Sequence, residues 1–304
     1  MSIDLVVPED VELTTLLDEL RKLSWASADV LMAYARGEEP PYGFPKSLTV
    51  EEGGDGPVSA ADMAVNELLI SGLKNNLTFK EWDILSEETS KEKTFLRDNY
   101  KKDWCWILDP LDGTKDFLQG SENYAVHIAL AHKQNPKIGI VLIPEKNELW
   151  FGILGIGAWL ENREGAKTHS SFSERNEISE LVLISSKNHQ QSKLLKLLSR
   201  FSFAETKKIG SVGCKIATIL RGESDVYISL SGQSSPKDWD MAAPEALLCS
   251  AGGEFTHADG RALVYNSGHL TQTGCLIASK GNNHDLLCEQ AFRQLQQIYP
   301  GFAV

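Results

Sequence analysis

The sequence predicts an α/β protein whose N-terminal half is α+β, and two patterns of hydrophobic residues support this. Between residues 125 and 162, four strand-like segments are separated by short turns, which is typical of an antiparallel meander. Beyond residue 180, strand-like and helix-like segments alternate, which is typical of α/β architecture. We therefore expect two closely packed subdomains, residues 1–180 and 181–304, with the polar segment 163–180 as a linker.

The N-terminal half opens with two predicted helices and a short strand. Residues 11–35 carry leucines at spacings of three and four, and paired prolines end that helix. Ser59 is a good N-cap for a second helix that is rich in alanine and leucine. WDILS (82–86) follows as a short apolar strand that ends in two glutamates.

The strands and helices that follow are bounded by turn residues. The predicted meander strands are 125–132, 137–144, 148–154 and 157–162. In the C-terminal half, the predicted strands are LVLISS, DVYIS and CLIAS. The predicted helices are QSKLLKLLSR, CKIATILRG and DMAAPEALLCS. A last helix is expected after Asn283.

The composition argues against several classes of function. Thirty basic and forty-two acidic residues give a formal net charge of −12, which disfavours nonspecific binding to nucleic acid or an anionic membrane. The N-terminus lacks the pattern of a secretory signal, and no apolar run is long enough to span a membrane. The five scattered cysteines form no CxxC pair. We expect buried free thiols and a cytoplasmic protein.

The segment WCWILDPLDGTKDF (104–117) carries the first candidate site. Asp109 lies at the end of an apolar strand, a usual location for ligand groups in α/β proteins, and Asp112 follows three residues later. Gly113 and Thr114 open a segment whose backbone N–H groups could face an anion. Oxygen ligands of this kind indicate a hard cation such as Mg²⁺. The alternative is a plain turn in which an aspartate caps a helix.

Two further acidic stretches accompany this one. Glu87 and Glu88 follow the short strand WDILS, and Asp240 lies at the start of an alanine-rich helix in KDWDMAAPE. Taken singly, paired glutamates are usually exposed to solvent and an aspartate at a helix N-terminus is common. The three stretches indicate a common site only when they are taken together, through their order and separation along the chain.

The chain resembles the lithium-sensitive, magnesium-dependent phosphatase superfamily of inositol monophosphatases and bisphosphate nucleotidases. The resemblance is carried by three stretches in the same order as in that superfamily, SEE, DPLDGT and WDMAAPE. DPLDGTKDF matches the DPxDGTxxF element throughout, and WDMAA matches WDxAA. The resemblance spans the chain from about residue 10 onward. It implies a layered αβαβα sandwich, as in inositol monophosphatases and fructose-1,6-bisphosphatases.

The resemblance also implies a role for each matched residue. Two or three Mg²⁺ ions would be bound by Glu87, Asp109, Asp112, Asp240 and the backbone carbonyl of Leu111. Thr114, with Glu87 nearby, would orient a metal-activated water, and the N–H groups of Gly113 and Thr114 would hold phosphate oxygens. The reaction implied is direct hydrolysis of a phosphomonoester without a phosphoenzyme.

Several details resemble the 3′(2′),5′-bisphosphate nucleotidase branch. Lys115 matches that branch, and DGPVSAAD (55–62) is similar to its DxSPVTxAD element. In the family the first aspartate helps the threonine to activate water, which makes Asp55 a catalytic candidate. Asp55 is nevertheless one residue closer to the proline than the pattern requires, and a glycine replaces the serine. Asp62 fits its place better, as a supporting acid.

Three residues in the C-terminal half are candidate substrate contacts by the same resemblance. Lys215 aligns with a lysine that contacts nucleotide phosphate in nucleotidases, and Ser211 is a looser match. Lys237 could bind a second phosphate. The stretch between Asp225 and Asp240 lacks the glutamate that inositol monophosphatases use on inositol hydroxyls. Each lysine alone could equally be an exposed surface residue.

Taken together, we expect removal of the 3′-phosphate from 3′-phosphoadenosine 5′-phosphate to give AMP, a step that recycles a by-product of sulfate activation. The alternatives are a phosphatase for inositol monophosphate or a sugar bisphosphate, and a noncatalytic nucleotide sensor. The resemblance also implies lithium sensitivity and a possible homodimer. The histidines show no metal-ligand spacing, so His127 is expected to serve core packing.

Overall fold

The computed structural model describes residues 7–9, 11–53, 56–76, 82–92, 102–187, 192–231 and 235–302. The helices are α1 (Leu13–Arg36), α2 (Ala60–Asn76), α3 (Glu87–Glu92), α4 (Thr114–Leu118), α5 (Ser192–Leu198), α6 (Val212–Leu220), α7 (Asp238–Ser250) and α8 (His284–Ile298). The strands of the N-terminal half are β1 (Val50–Gly53), β2 (Gly56–Ser59), β3 (Asp83–Ser86), β4 (Trp104–Asp112), β5 (Ala125–His132), β6 (Asn135–Ile143), β7 (Glu148–Ile153), β8 (Gly157–Glu161) and β9 (Lys167–His169). Those of the C-terminal half are β10 (Val182–Ser186), β11 (Glu205–Ile209), β12 (Val226–Leu230), β13 (Glu254–His257) and β14 (Cys275–Ser279).

The described strands form two large sheets and a small β1–β2 hairpin. Seven strands are ordered β3-β4-β5-β6-β7-β8-β9, and five are ordered β11-β10-β12-β14-β13. Strands β4 to β8 pair antiparallel in sequence order, which confirms the predicted meander. Helices α1 and α2 pack on one face of the larger sheet, α6 and α7 lie between the sheets, and α5 and α8 pack outside the smaller sheet. The expected α/β fold with αβαβα layers is confirmed.

Helix α1 shows how the sequence pattern becomes packing. Its buried face carries leucines at helical spacing, among them Leu16, Leu20 and Leu23, which face the sheet as one apolar stripe. The helix ends at Gly37, whose φ of 67° lies in the left-handed region. The prediction of a helix over 11–35 is therefore confirmed to within two residues at its start and one at its end.

Two local expectations were wrong. The segment 163–180 is more than a linker, because β9 pairs with β8 and a short 3₁₀ helix spans Ile178–Glu180. Its polar composition hid these elements, since an edge strand with an exposed face needs no apolar alternation. The second concerns the two glutamates after WDILS, which were expected at the end of the strand. The strand ends at Ser86, and the glutamates form the start of α3. The division into residues 1–180 and 181–304 stays a prediction.

Two observations bear on the expectations about thiols and membranes. All five cysteines are free, and Cys105, Cys214, Cys275 and Cys288 are buried while Cys249 is partly buried. Among the described residues, no helix combines the length and the apolar character that a bilayer span requires.

Candidate active site

Three carboxylates from remote parts of the chain meet where β4 ends. Asp109 and Asp112 belong to the end of β4, and Asp240 lies in the first turn of α7. One carboxylate oxygen from each lies within 4.8 Å of one from each of the others. An arrangement of hard oxygen atoms at this separation fits a divalent cation such as Mg²⁺.

An irregularity in β4 brings its two aspartates to the same place. Residues three apart on a regular strand point to opposite faces of the sheet. The pairing of β4 with β5 shifts register between Asp109 and Asp112, so both side chains reach one site. The backbone N–H of Leu111, inside this irregularity, donates to Asp109 Oδ1 at 3.1 Å.

Close packing of α7 on the larger sheet sets the position of Asp240. A side chain at Gly139 would begin 2.3 Å from the carbonyl oxygen of Ala243, and one at Gly152 would begin 2.4 Å from Leu247 Cα. These glycines of β6 and β7 therefore let the alanine-rich helix approach the strands directly. At the start of α7, the backbone N–H of Lys237 donates to Asp240 Oδ2 at 2.7 Å.

Burial and neighbouring charges raise the pKa values of Asp109 and Asp240. Burial raises the pKa of Asp109 well above its ordinary value, and the charges of Glu87, Asp112 and Asp240 add to that effect. The pKa of Asp240 is raised to about 8, mainly by burial and further by the charges of Asp112 and Glu87. Oδ2 of Asp109 is buried and has no hydrogen-bond partner among the described residues. A bound cation would satisfy that oxygen and relieve the repulsion, so these residues fit a metal ion.

Asp112 differs from its neighbours because several donors hold one of its oxygens. Oδ2 accepts from the hydroxyl of Ser211 at 2.5 Å and from the backbone N–H of Gly213 at 3.2 Å. Nε2 of His127 lies 3.2 Å from the same oxygen. Burial lowers the pKa of His127, although the charge of Asp112 opposes this. Two hydrogen bonds thus fix the orientation of the Asp112 carboxylate.

Thr114 and Asp62 form a hydrogen-bonded pair beside the cluster. The Thr114 hydroxyl lies 3.0 Å from Asp62 Oδ1 and 3.1 Å from the carbonyl oxygen of Leu111, and both can accept its proton. Asp62 Oδ2 accepts from the backbone N–H and the hydroxyl of Ser59, at 2.9 and 2.5 Å. Burial is the main cause that raises the pKa of Asp62 to about 6.

The partnership of Thr114 with Asp62 was missed by the sequence analysis, which assigned the catalytic aspartate to Asp55. Asp55 lies outside the described residues, so its assignment stays a prediction. The available signal was the acidic residue three positions after Ser59, which reads equally well as an ordinary helix-start acid. Its contact with a residue 52 positions away could not be seen in that local pattern.

The predicted substrate contacts surround the cluster in different ways. Gly113 has a φ of 96°, a left-handed conformation that favours glycine, directly before α4. Ser211 is buried, donates to Asp112 and caps α6 by accepting from the N–H of Cys214. The side chain of Lys237 is partly buried at the start of α7. The predicted contacts of these residues with substrate stay predictions.

Lys215 is more deeply buried than an ordinary surface lysine. Its Nζ donates to the carbonyl of Gly210 and lies 5.2 Å from the ring centre of Tyr227. Burial lowers the pKa of Lys215, while the charges of Asp112 and Asp240 oppose this. A buried amine in this position is a source of positive charge close to the carboxylates.

Comparisons with known proteins agree with this geometry. The model of the inositol monophosphatase family matches residues 15–296. The 3′(2′),5′-bisphosphate nucleotidase CysQ of Salmonella typhimurium is 28% identical over 250 residues, which cover 82% of this chain and 94% of that protein. The CysQ protein of Haemophilus influenzae is 27% identical over 78% of this chain and 86% of its own.

Solved structures share the fold at lower identity. An inositol monophosphatase from Anabaena superposes with a TM-score of 0.71 at 24% identity, covering 93% of this chain and 97% of its own. An IMPase/NADP phosphatase complexed with Mg²⁺ and phosphate superposes with a TM-score of 0.70 at 19% identity, covering 91% of this chain and 95% of its own. These likenesses confirm the expected fold, and the comparisons as a whole support a phosphatase that uses a divalent metal. The chain belongs to the inositol monophosphatase family.

Proposed function

We propose that the protein is a magnesium-dependent 3′(2′),5′-bisphosphate nucleotidase that removes the 3′-phosphate of 3′-phosphoadenosine 5′-phosphate to give AMP. The observation that supports this most directly is the Thr114 hydroxyl, which contacts Asp62 beside three converging carboxylates. The names of the CysQ relatives favour the nucleotide substrate.

The metal ligands in this proposal are the carboxylates of Glu87, Asp109, Asp112 and Asp240 and the carbonyl of Leu111. Mg²⁺, when bound there, supplies positive charge against the phosphate and acidifies water. Oxygen atoms of Asp109, Asp112 and Asp240 already lie within 4.8 Å of one another, so these three ligands need little reorganisation on binding. The support is the unsatisfied Oδ2 of Asp109 together with the raised pKa values of Asp109 and Asp240.

Thr114 and Asp62 orient the attacking water in the proposed mechanism. An ionised Asp62 accepts a hydrogen bond from the Thr114 hydroxyl. A lone pair of the hydroxyl oxygen is then available to accept a hydrogen bond from water. The water oxygen bonds to phosphorus while the bond between phosphorus and the 3′-oxygen breaks. Water loses a proton and the 3′-oxygen gains one, so the products are AMP and inorganic phosphate. With a pKa raised to about 6, Asp62 is ionised at neutral pH, as this role requires.

Substrate choice is tested by comparing three phosphate esters on the same purified protein with Mg²⁺. We expect 3′-phosphoadenosine 5′-phosphate to give a higher kcat/KM than inositol 1-phosphate or fructose 1,6-bisphosphate. Faster turnover of inositol 1-phosphate would transfer the assignment to the alternative that the family itself favours. No turnover of any ester with intact Mg²⁺ binding would favour the noncatalytic nucleotide sensor.

Lys215→Ala provides a test of nucleotide recognition. In the proposed role, Lys215 supplies charge to a nucleotide phosphate, so KM for 3′-phosphoadenosine 5′-phosphate should rise about tenfold or more. Hydrolysis of p-nitrophenyl phosphate, which lacks the second phosphate, should change much less. Equal losses on both esters would contradict the role, because they would point to damage of the shared catalytic centre.

Three further expectations belong to the same proposal. Lithium should inhibit the Mg²⁺-dependent activity, and the three-ester assay can measure this directly. A homodimer and a cytoplasmic location are also expected of such an enzyme. Sedimentation and cell fractionation would test these two properties.

A further inference from the structure

The segment 265–272, between β13 and β14, lies against α7 and is attached to it at both ends. Its first and last residues, Tyr265 and Gln272, are buried, whereas the six residues between them are exposed or partly exposed. Side chains at the two ends therefore hold the segment in place. Tyr265 donates to Glu245 of α7, and Gln272 donates to Asp238 of the same helix.

Asp238 makes the attachment that lies beside the carboxylate cluster, and both of its oxygens accept hydrogen bonds. The side chain is buried in the first turn of α7, two residues before Asp240. Oδ2 accepts from the backbone N–H of Asn266 and Oδ1 from Nε2 of Gln272, each at 2.7 Å. These donors are 28 and 34 residues away in the sequence. A buried carboxylate with such partners fixes a remote segment to the start of the helix.

The main chain just before Asp240 is held by the same segment. Residues 236–238 pair with residues 270–272 around an antiparallel bridge between Lys237 and Thr271. Two backbone hydrogen bonds of 2.9 and 2.8 Å flank that bridge, and neither uses the N–H of Lys237. That N–H donates instead to Oδ2 of Asp240 at 2.7 Å. The segment thus holds the peptide whose N–H orients the Asp240 carboxylate.

We infer that Asp238 is a positioning residue: by holding the segment 265–272 on α7, it fixes the N–H of Lys237 and thereby the carboxylate of Asp240. This inference rests on the proposed metal site. Groups that orient metal ligands typically change metal affinity by 10- to 100-fold when they are lost. The negative charge of Asp238 also attracts a nearby cation, so the experiment has to separate position from charge.

Isothermal titration calorimetry with MgCl₂ alone tests the inference on three variants. Asp238→Ala removes the contacts with Asn266 and Gln272 together with the charge. Asp238→Asn removes the charge but keeps an oxygen for the N–H of Asn266, and the amide of Gln272 can turn to keep its contact. Tyr265→Phe is the matched control, because it removes the hydroxyl that contacts Glu245 and loosens the same segment at its other end.

We expect the Kd for Mg²⁺ to rise about tenfold or more in Asp238→Ala, and to stay within about threefold in Asp238→Asn and Tyr265→Phe. An unchanged Kd in Asp238→Ala would overturn the inference. Equal losses in Asp238→Ala and Asp238→Asn would also overturn it, because charge alone would then account for both. Equal losses in Asp238→Ala and Tyr265→Phe would do the same, since any loosening of the segment would then be sufficient.

Thermal unfolding in EDTA separates these effects from a general loss of stability. Asp238→Ala and Tyr265→Phe should both lower the Tm, because each leaves a buried polar group without its hydrogen bond. Gln272→Met replaces Asp238→Ala in the comparison if the alanine variant does not fold, since it removes the donor to Oδ1 of Asp238. We expect this variant to raise the Kd for Mg²⁺ at least about fivefold, and an unchanged Kd would overturn the inference.

The proposed activity and the role of Asp238 fail separately. Normal Mg²⁺ binding by the wild type with no turnover of the bisphosphate would refute the proposed activity and leave the role of Asp238 standing. An unchanged Kd in Asp238→Ala, with normal turnover by the wild type, would do the reverse. Absence of Mg²⁺ binding in the wild type would refute both.

Discussion

Asp109 near the end of β4 and Asp225 just before β12 are both buried aspartates, yet they have opposite electrostatic surroundings. Asp225 Oδ2 accepts from Arg175 Nε and from the backbone N–H of Val182, each at 2.7 Å. Nζ of Lys280 lies 3.7 Å from its Oδ1. Asp225 is therefore compensated by cations that the chain itself provides.

Around Asp109, by contrast, the main neighbouring charges are other carboxylates, those of Glu87, Asp112 and Asp240. Asp109, Asp112 and Asp240 accept hydrogen bonds from backbone N–H groups and, in Asp112, from the Ser211 hydroxyl. Burial raises the pKa values of Asp109 and Asp240, and the like charges of the neighbouring carboxylates add to that effect. A buried acid whose counter-charges come from the chain has its partners within the fold, whereas acids that mainly face one another are suited to a cation from solution.

Asp109→Asn tests this distinction with the largest expected effect. Loss of one central ligand weakens metal binding and should reduce kcat/KM by about 10³-fold or more. Each factor of ten corresponds to about 1.4 kcal/mol in the barrier. The same change removes a source of repulsion, so the Tm of the metal-free protein should rise. Phosphate release and thermal unfolding in EDTA measure the two effects. Near-normal turnover would contradict the assignment of Asp109 as a ligand.

Asp225→Asn should have the opposite outcome. Loss of the carboxylate leaves Arg175 and Lys280 without their shared partner and should lower the free energy of unfolding by about 3 kcal/mol. The Kd for Mg²⁺ should be unchanged in the folded protein. Urea unfolding measures the first quantity, with Asp259→Asn as control, because the exposed pair of Asp259 with Arg261 should be worth less than about 1 kcal/mol. Equal losses in both variants would remove the contrast.

Thr114→Ala sharpens the comparison within the site itself. Removal of the hydroxyl takes away the group that contacts Asp62 and should lower kcat about 100-fold, with a much smaller change in KM. Thr114→Ser retains the hydroxyl and should stay within about tenfold of the wild type. If serine fails as completely as alanine, the hydroxyl is not the feature that matters.

The pH dependence of stability tests the electrostatics of the cluster without any substitution. Asp240 has a raised pKa of about 8 in the folded, metal-free protein, so it keeps its proton between about pH 4 and pH 8 while the unfolded chain releases it. Since the folded state then binds more protons, the contribution of the cluster to stability falls as pH rises through this range. Saturating Mg²⁺ should weaken or reverse that slope. Thermal unfolding at pH 5 and pH 8, with EDTA or Mg²⁺, measures it, and an identical slope in both would refute the prediction.

Much of the fold could be predicted because its signals are local. The meander from β5 to β8 shows apolar segments of strand length between turns, and α1 shows leucines at helical spacing. The exceptions were polar elements such as β9, whose pairing depends on β8 and leaves little trace in the periodicity of its own residues.

The candidate site was predictable only in part. Asp109, Asp112 and Asp240 lie in motifs that the sequence displays, and the structure brings them together. Asp62 and His127 were recognised only as a supporting acid and a core residue. Asp62 contacts Thr114, and His127 lies beside Asp112; both neighbours are remote in the sequence, so the local pattern around Asp62 or His127 does not reveal them.

The α/β class and the acidic motifs could be read from the chain alone, because periodicity and motif spacing are local, and the resemblance of those motifs implied the layered fold and the family. The oxygen of Asp112 that accepts hydrogen bonds and the partner of Thr114 became visible only in the folded structure. The physical reason is that hydrogen bonds and charge repulsion depend on distances of a few ångströms between residues remote in sequence. Those distances are set by the packing of α6 and α7 against the sheet and by the irregularity in β4.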